Sequence, residues 1–428
     1  MIKILDSKIK NFDTTLDKLL SKRKAKVQLS SVSVTKIIKD VKRNGDKAIL
    51  KYEKKYNKNN IIIPNLKQIR KSIRSLDVKV KKAIDLAYNR IYKFHSLQKF
   101  KNISYTDKLQ NKLEYKYIPI ESIAIYVPGS TASYPSSVLM NAIPALVAGV
   151  KRIVMINPGQ KGEQNPAVLY AARKCKIKEI YSIGGPSAIT AVAYGTKKIK
   201  KVDKIVGPGN SYVVAAKKEV FGDVGIEGMI AGPSEVTIVC DKHSNPEWVA
   251  SDLIGQAEHD NLAQCILISK DKSLLSKVKE EIKKQLKDLP RVTIARNSIL
   301  NNGILMHITS DQKIIDVVNK IAPEHLELNV KNYKKIVGKI KNSGSICLGK
   351  YAVMAMTDYN VGSNHVLPTN SSARYSSGVS VNEFYKRISY IELSKKGIET
   401  LGPSVITLAN YEGLAGHAKS VEKRIRRK

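Results

Sequence analysis

Gln256 and His259 stand three residues apart near the end of a segment, NPEWVASDLIGQAEHD, whose pattern predicts a helix, so both side chains fall on one stripe. An amide oxygen and an imidazole placed this way are potential metal ligands. The helix start is legible: Asn245 suits the N-cap, Pro246 the first helical position, and Glu247 puts a negative charge in the first turn. Val249, Leu253 and Ala257, with Ala250 and Ile254 beside them, predict a buried face, and Asp252, Gln256 and His259 line its flank. A capped surface helix with a late Gln and His fits the same spacing. The preceding residues favour a site wall: Gly232, Pro233 and Ser234 lead into a mostly apolar run, Val236 to Cys240, that predicts a buried strand.

Other segments gather ionisable groups. Pro323-Glu324-His325 precedes a short alternating run, Leu326 to Val330. An imidazole can take a proton at neutral pH, and a neighbouring carboxylate can act as acid or base or activate water. Neighbours on a regular strand face opposite ways, so the two can serve one site only if Pro323 holds them at an irregular strand entrance; an isolated surface pair fits as well. Thr357 to Gly362 continues through Ser363, Asn364 and His365 to Thr369, a polar loop around Asp358 and His365. Near the end of the chain Glu412 and His417 lie in EGLAGHA. Four of the seven histidines, His259, His325, His365 and His417, therefore fall in motif-like segments, which favours a site. Three turns after predicted strands, Pro128-Gly129, Gly184-Gly185 and Gly207-Pro208-Gly209-Asn210, could let backbone approach a dinucleotide phosphate. None completes GxGxxG, and ordinary tight turns explain them equally.

The elements that must position these groups are readable too. From Ser122 a strand, a glycine turn and a helix recur four times, beginning SIAIYVPG, RIVMINP, EIYSIGG and KIVGPGN. After Ser234 the pattern resumes with EVTIVCD, the Gln/His helix, QCILISKD, a Lys-rich helix, VTIARN as a further strand, and a strand and helix ending near Cys347. Two successive α/β blocks with parallel sheets covered on both faces are expected, with ligands at the carboxyl ends of the strands. The first 115 residues read as mainly helical, around Val34 to Lys55 and Leu66 to Gln98. The last 50, from about Val379, read as helical with little strand character, either a tail packed on another subunit or a plain C-terminal helix.

Composition narrows the class. The 428 residues carry a formal charge of +37, yet the Lys excess is spread along the chain with abundant Ile and Asn, as an AT-rich coding sequence would produce. No zinc-finger spacing, RNP-type sequence or basic zipper supports a nucleic-acid partner. Four scattered cysteines without a CxxC pair predict buried free thiols. The N-terminus lacks the apolar core of a signal peptide, and no stretch approaches the ~20 apolar residues that span a bilayer. A soluble cytoplasmic protein without a membrane partner is expected.

Taken together, AGPSEV with SDLIGQAEHD, APEHLEL, DYNVGSNHVLPT, RYSSGVSVNEF and EGLAGHA, in that order, resemble histidinol dehydrogenases, and YVPGS with YPSSVLMNAIPA and KVDKIVGPGN extend the likeness over most of the chain. It is weakest in the first 115 residues. The resemblance implies four-electron oxidation of L-histidinol to L-histidine through the aldehyde, with two NAD+ and one zinc per subunit, at the end of histidine biosynthesis. It implies zinc ligands Gln256, His259, Asp358 and His417, with His325 as general base and Glu324 activating water. Ser234, Gln256, His259, His325, Asp358, Glu412 and His417 would contact substrate, and Tyr126, Ser187 and Asn210 would face NAD.

The same resemblance implies two Rossmann-like parallel-sheet domains in a homodimer that exchanges tails, Glu412 and His417 completing the partner's site. Its domain plan is an arm (1–22), a first α/β domain (23–125 and 236–378) with most of the site, a second (126–235) with the NAD-contacting turns, and the tail (379–428). Some positions depart from the family pattern: Ser187 stands where a Gln is common, Ser130 replaces a glycine after Tyr126, and Asn370 and Ser371 replace a glycine pair. Another metal-dependent NAD alcohol dehydrogenase, or a basic nucleic-acid-binding protein, are the rival readings. A panel of amino alcohols separates the first; salt-resistant, sequence-selective binding without dehydrogenase activity would mark the second.

Overall fold

The structure is a computed structural model and describes residues 2–25, 31–129, 133–159, 163–228 and 232–425. The chain forms two compact units, residues 1–98 with 121–383, and residues 99–120 with 384–428. It opens with β1 (Lys3–Asp6) and the helices α1 (Phe12–Ala25), α2 (Ser31–Asn44), α3 (Asp46–Asn57), α4 (Leu66–Ser75) and α5 (Val78–Ser96). Each of the two long helical stretches expected from the sequence is therefore a pair. Gly45, at φ +52°, turns the chain between α2 and α3, and the Asp77 side chain caps the start of α5.

After β2 (Ile103–Thr106) and β3 (Lys112–Pro119) come β4 (Ser122–Tyr126), α6 (Pro135–Ala148), β5 (Arg152–Ile156), α7 (Pro166–Lys174), β6 (Glu179–Tyr181), α8 (Gly185–Tyr194), β7 (Lys204–Val206), α9 (Ser211–Val220) and β8 (Gly225–Ile226). Strands β4 to β8 form a parallel sheet in the order β6-β5-β4-β7-β8. The helices α2 and α3 pack on α8 and share its core: Val34, Ile37, Ile38 and Val41 repeat at helical spacing and are buried with Ala124, Val154, Ile189 and Ile205. Helix α5 packs on α6 and α4 on α7. The N-terminal helices thus cover this first sheet, whereas the expected domain plan grouped them with the second block; their apolar stripes find their partners here.

The second block runs β9 (Glu235–Cys240), α10 (Pro246–Ala257), β10 (Gln264–Ser269), α11 (Lys272–Gln285), α12 (Val292–Asn302), β11 (Ile304–His307), α13 (Asp311–Ile321), β12 (His325–Asn329), α14 (Lys334–Val337), β13 (Ser345–Leu348) and α15 (Met354–Tyr359). Its sheet has the order β1-β11-β10-β9-β12-β13 with every pairing parallel. Every residue of β9, β10 and β12 is buried, as strands covered on both faces require. Without β1, this order repeats that of the first sheet. The expected arm supplies β1 as an edge strand. The VTIARN run is not a strand but the start of α12. Ala295, Ser298 and Ile299 recur at helical spacing on its buried face, and the Ser298 hydroxyl donates to Ala263 O (2.9 Å), so packing overrides local β propensity.

In the smaller unit β14 (Tyr385–Glu392) pairs antiparallel with β3, and β3 with β2, before α16 (Lys395–Tyr411) and α17 (Ala415–Ile425). This three-stranded sheet corrects the helical reading of both ends of the chain: YKRISYIE and KLEYKYIP mix aromatic and β-branched residues with charges along strands that are half-buried in β3 and largely exposed in β14, so no apolar run announces them. The four cysteines are free and buried, as expected. Among the described residues no helix is long and apolar enough to cross a membrane.

Candidate active site

The site residues collect at the amino edge of the second sheet, not at the carboxyl ends of its strands. Glu235 opens β9, His325 opens β12, and α10, running back antiparallel to β9, delivers its last turn beside them. Asn245 starts that helix by accepting from the amides of Glu247 (2.8 Å) and Trp248 (3.4 Å), as the sequence predicts. A helix C-terminus carries partial negative charge, which favours a cation over a phosphate.

Pro323 and Glu324 lie just before β12, so Glu324 escapes strand alternation and shares a space with His325. Glu324 Oε2 accepts the Glu235 amide (2.8 Å), while its Oε1 stands 4.0 Å from His325 Nε2. The same nitrogen is 3.8 Å from Asp358 Oδ1. Neither separation is a hydrogen bond, so Nε2 faces the space between two carboxyls. Asp358 sits in the last turn of α15, and the following loop returns His365, whose Nδ1 lies 2.8 Å from Asp358 O.

Burial governs the protonation of this group. It pushes Asp358 up to about 7 and Glu324 well above the usual carboxylate range, the latter also raised by the charges of Glu235 and Asp358. Burial and the neighbouring His365 and His259 push His325 down to about 3, and burial lowers His365 to about 4. The two histidines are neutral bases at neutral pH. His259 lies open to solvent just past α10, yet enough protein surrounds it to lower its pKa, with Arg291 adding repulsion.

Among the described residues no three His, Cys, Asp or Glu side chains converge closely enough to hold a metal ion. Of the expected shell, the larger unit supplies two such groups, His259 and Asp358, and the Gln256 amide. That amide is buried and its Oε1 has no hydrogen-bond partner, while burial alone shifts Asp358, with no donor relieving it. An orphaned amide oxygen, an unrelieved carboxyl and an open imidazole at a helix C-terminus fit a divalent cation with nitrogen and oxygen donors. Glu412 and His417 belong to the smaller unit, at the end of α16 and on α17, and both are exposed.

The loop framing the site has its own supports. Partly exposed Ser234 precedes Glu235, the Gly232 amide donates to Thr369 Oγ1 (2.5 Å), and the Asn370 amide donates to Glu235 Oε1 (2.8 Å). Asn370 and Ser371, where glycines are usual, both hold positive φ (54° and 61°), so the chain keeps the turn at the cost of left-handed non-glycine residues. Glu235 was legible only as the polar first residue of an apolar strand, and nothing in its spacing marked it as the group whose amide holds Glu324.

The residues expected to face NAD lie on the first sheet. Tyr126 ends β4, nearly buried, with its hydroxyl accepting the Gly185 amide (3.0 Å). Ser187 is buried in the first turn of α8 and donates to Gly184 O (3.1 Å). Asn210 is exposed and caps α9, accepting from Tyr212 and Val213. The Gly184 amide donates to Glu53 Oε1 (2.7 Å), so both amides of the Gly184-Gly185 turn are engaged internally. Ser130 lies outside the described residues.

Comparison with known proteins identifies the family. The family model for histidinol dehydrogenase matches residues 20–425. The chain is 87% identical over its full length, and the relative's, to histidinol dehydrogenase of Pelagibacter ubique (strain HTCC1062). It is 43% identical to that of Nitrosomonas europaea (strain ATCC 19718 / CIP 103999 / KCTC 2705 / NBRC 14298), over 99% of this chain and 100% of the relative. The crystal structure of histidinol dehydrogenase from Elizabethkingia anophelis superposes with a TM-score of 0.91 at 36% identity, covering 99% of this chain and 98% of that one. With paired parallel sheets, acid and imidazole groups meeting before β12 and matches across nearly the whole chain, this protein belongs to the histidinol dehydrogenase family of oxidoreductases.

Proposed function

We propose that the chain oxidises L-histidinol to L-histidine through the aldehyde, with zinc and two NAD+ per turnover, as a homodimer whose tails carry Glu412 and His417 into the partner's site. The observation supporting this most directly is His325 Nε2, a neutral imidazole nitrogen aimed between the Glu324 and Asp358 carboxyls. Gln256, His259 and Asp358, with His417 of the partner subunit, would hold zinc; Asn210 is the exposed candidate for NAD, with Tyr126 and Ser187 shaping the adjacent turn. When bound, zinc supplies charge that orients and polarises the substrate's donor atoms, and NAD+ supplies the hydride acceptor.

The chain's own residues then manage protons. His325 Nε2 takes the hydroxyl proton as hydride leaves the carbinol carbon, giving the aldehyde. Glu324 takes a proton from the water that adds to that aldehyde, and loss of a second hydride from the hydrate yields the carboxylate. For that step Glu324 must be ionised, a state that a zinc ion held by the neighbouring ligands would favour. Ser234 and Glu412 complete the contacts to substrate. Purified protein should form two NADH per histidine only when histidinol is supplied. Turnover should stop on chelation and return with zinc; no histidinol-dependent NADH after zinc reconstitution refutes the reading, and equal rates on other amino alcohols redirect it to a broader alcohol dehydrogenase.

A further inference from the structure

Two acids that the proposed chemistry does not use lie behind the site. Asp252 is on α10, one turn before Gln256; Glu327 is on β12, two residues after His325 and on the same face of the strand. Their side chains hydrogen-bond to one another, which requires one proton held between the two carboxyls. Glu327 is almost wholly buried, and its Oε1 also accepts the amide of Met354 (2.7 Å), the first residue of α15. Val353, at the N-cap of that helix, makes no side-chain cap. Glu327 therefore caps α15 from the neighbouring strand, and α15 places Asp358 one turn later.

We propose that the Asp252–Glu327 pair is a positioning device that fixes α10, β12 and α15 against one another, and so sets Gln256 and His259 against Asp358 for metal binding. This rests on the assignment of Gln256, His259 and Asp358 to a zinc shell. Burial raises both carboxyls, and the Asp252 charge raises Glu327 further, which keeps the shared proton in place at neutral pH. Groups that orient ligands from behind commonly change metal affinity 10–100-fold when removed.

The test is zinc titration of the metal-free, full-length protein by calorimetry, with thermal melting to report folding. Glu327→Gln keeps both contacts, its amide NH2 donating to Asp252 and its oxygen accepting from Met354, and should bind zinc within about threefold of wild type. Glu327→Leu fills the space without either contact and should bind roughly 10–100-fold more weakly while still melting cooperatively. A folded Glu327→Leu protein with wild-type zinc affinity, or a Glu327→Gln protein as weak as the Leu variant, overturns the inference. Should the Leu variant fail to fold, Asp252→Asn decides: it preserves the pair's hydrogen bond, so affinity within about threefold supports the device and a tenfold loss overturns it. Wild-type protein that binds no zinc sinks the functional reading, and this inference with it.

Discussion

Replacing Glu324 with Gln separates the two oxidation steps. The residue is 7% exposed, its side chain accepts the Glu235 amide at 2.8 Å, and burial raises its pKa well above the usual carboxylate range. Gln has the shape and charge of the protonated acid and still accepts the amide, so global stability should change by less than about 1 kcal/mol. What Gln cannot do is take a proton from water. Loss of a positioned base costs roughly 10²–10⁴-fold, equivalent to about 2.7–5.4 kcal/mol of barrier at ~1.36 kcal/mol per decade. The assay is rapid mixing of enzyme, histidinol and NAD+, following NADH by absorbance and histidine by chromatography. One NADH per site should form at near wild-type rate, and the second should slow by the factor above. If both steps slow alike, or histidine appears at the wild-type rate, Glu324 does not act on the water.

Other expectations follow from the same geometry. His325→Asn should slow the first hydride step roughly 10²–10⁴-fold with zinc content retained, whereas His259→Asn should lower zinc content on metal analysis; equal zinc loss in both would merge roles kept apart here. Asn245→Ala removes the cap of the helix that carries Gln256 and should cost ~1 kcal/mol in chemical denaturation. Lys217 is wholly buried, donates to Gly207 O (2.5 Å) and has its pKa pushed down to about 8 from 10.5 by burial. Between those values the unfolded chain binds the extra proton, so wild-type stability should rise with pH relative to Lys217→Met, by up to about 3 kcal/mol over the window. Denaturation at pH 8 and pH 10.5 checks the sign; a flat difference would mean that the amine is not held at low polarity.

Much of the site was readable because its residues sit where local rules still operate. The α10 segment combines a cap, an N1 proline and an apolar face, and of the two readings left open for Pro323-Glu324-His325 it is the irregular strand entrance that lets Glu324 and His325 share one space. Which edge of the sheet they occupy was read wrongly, the carboxyl ends of the strands being expected. Periodicity places Gln256 at a helix end but says nothing of direction, and the amino edge follows from α10 running back along β9. Glu235 and Glu327 were missed because a single acid in an apolar run carries no spacing signal; their partners, Asn370, Met354 and Asp252, come from other elements. The antiparallel sheet was missed because β3 and β14, paired from Lys112 with Glu392 to Pro119 with Tyr385, lie more than 260 residues apart throughout and bury little on their own.

Glu53 gives the Gly184-Gly185 turn a meaning of its own. That turn has what a phosphate seeks, a glycine approach and the amide end of α8, but an internal carboxylate already sits there, anchored through Asn57 on its other oxygen (2.8 Å). A pyrophosphate arriving at this turn would meet the buried Glu53 carboxyl in its place. The turn that most resembles a dinucleotide cradle thus has both glycine amides spent, and any nucleotide on this sheet has to be recognised by groups other than the amides of Gly184 and Gly185.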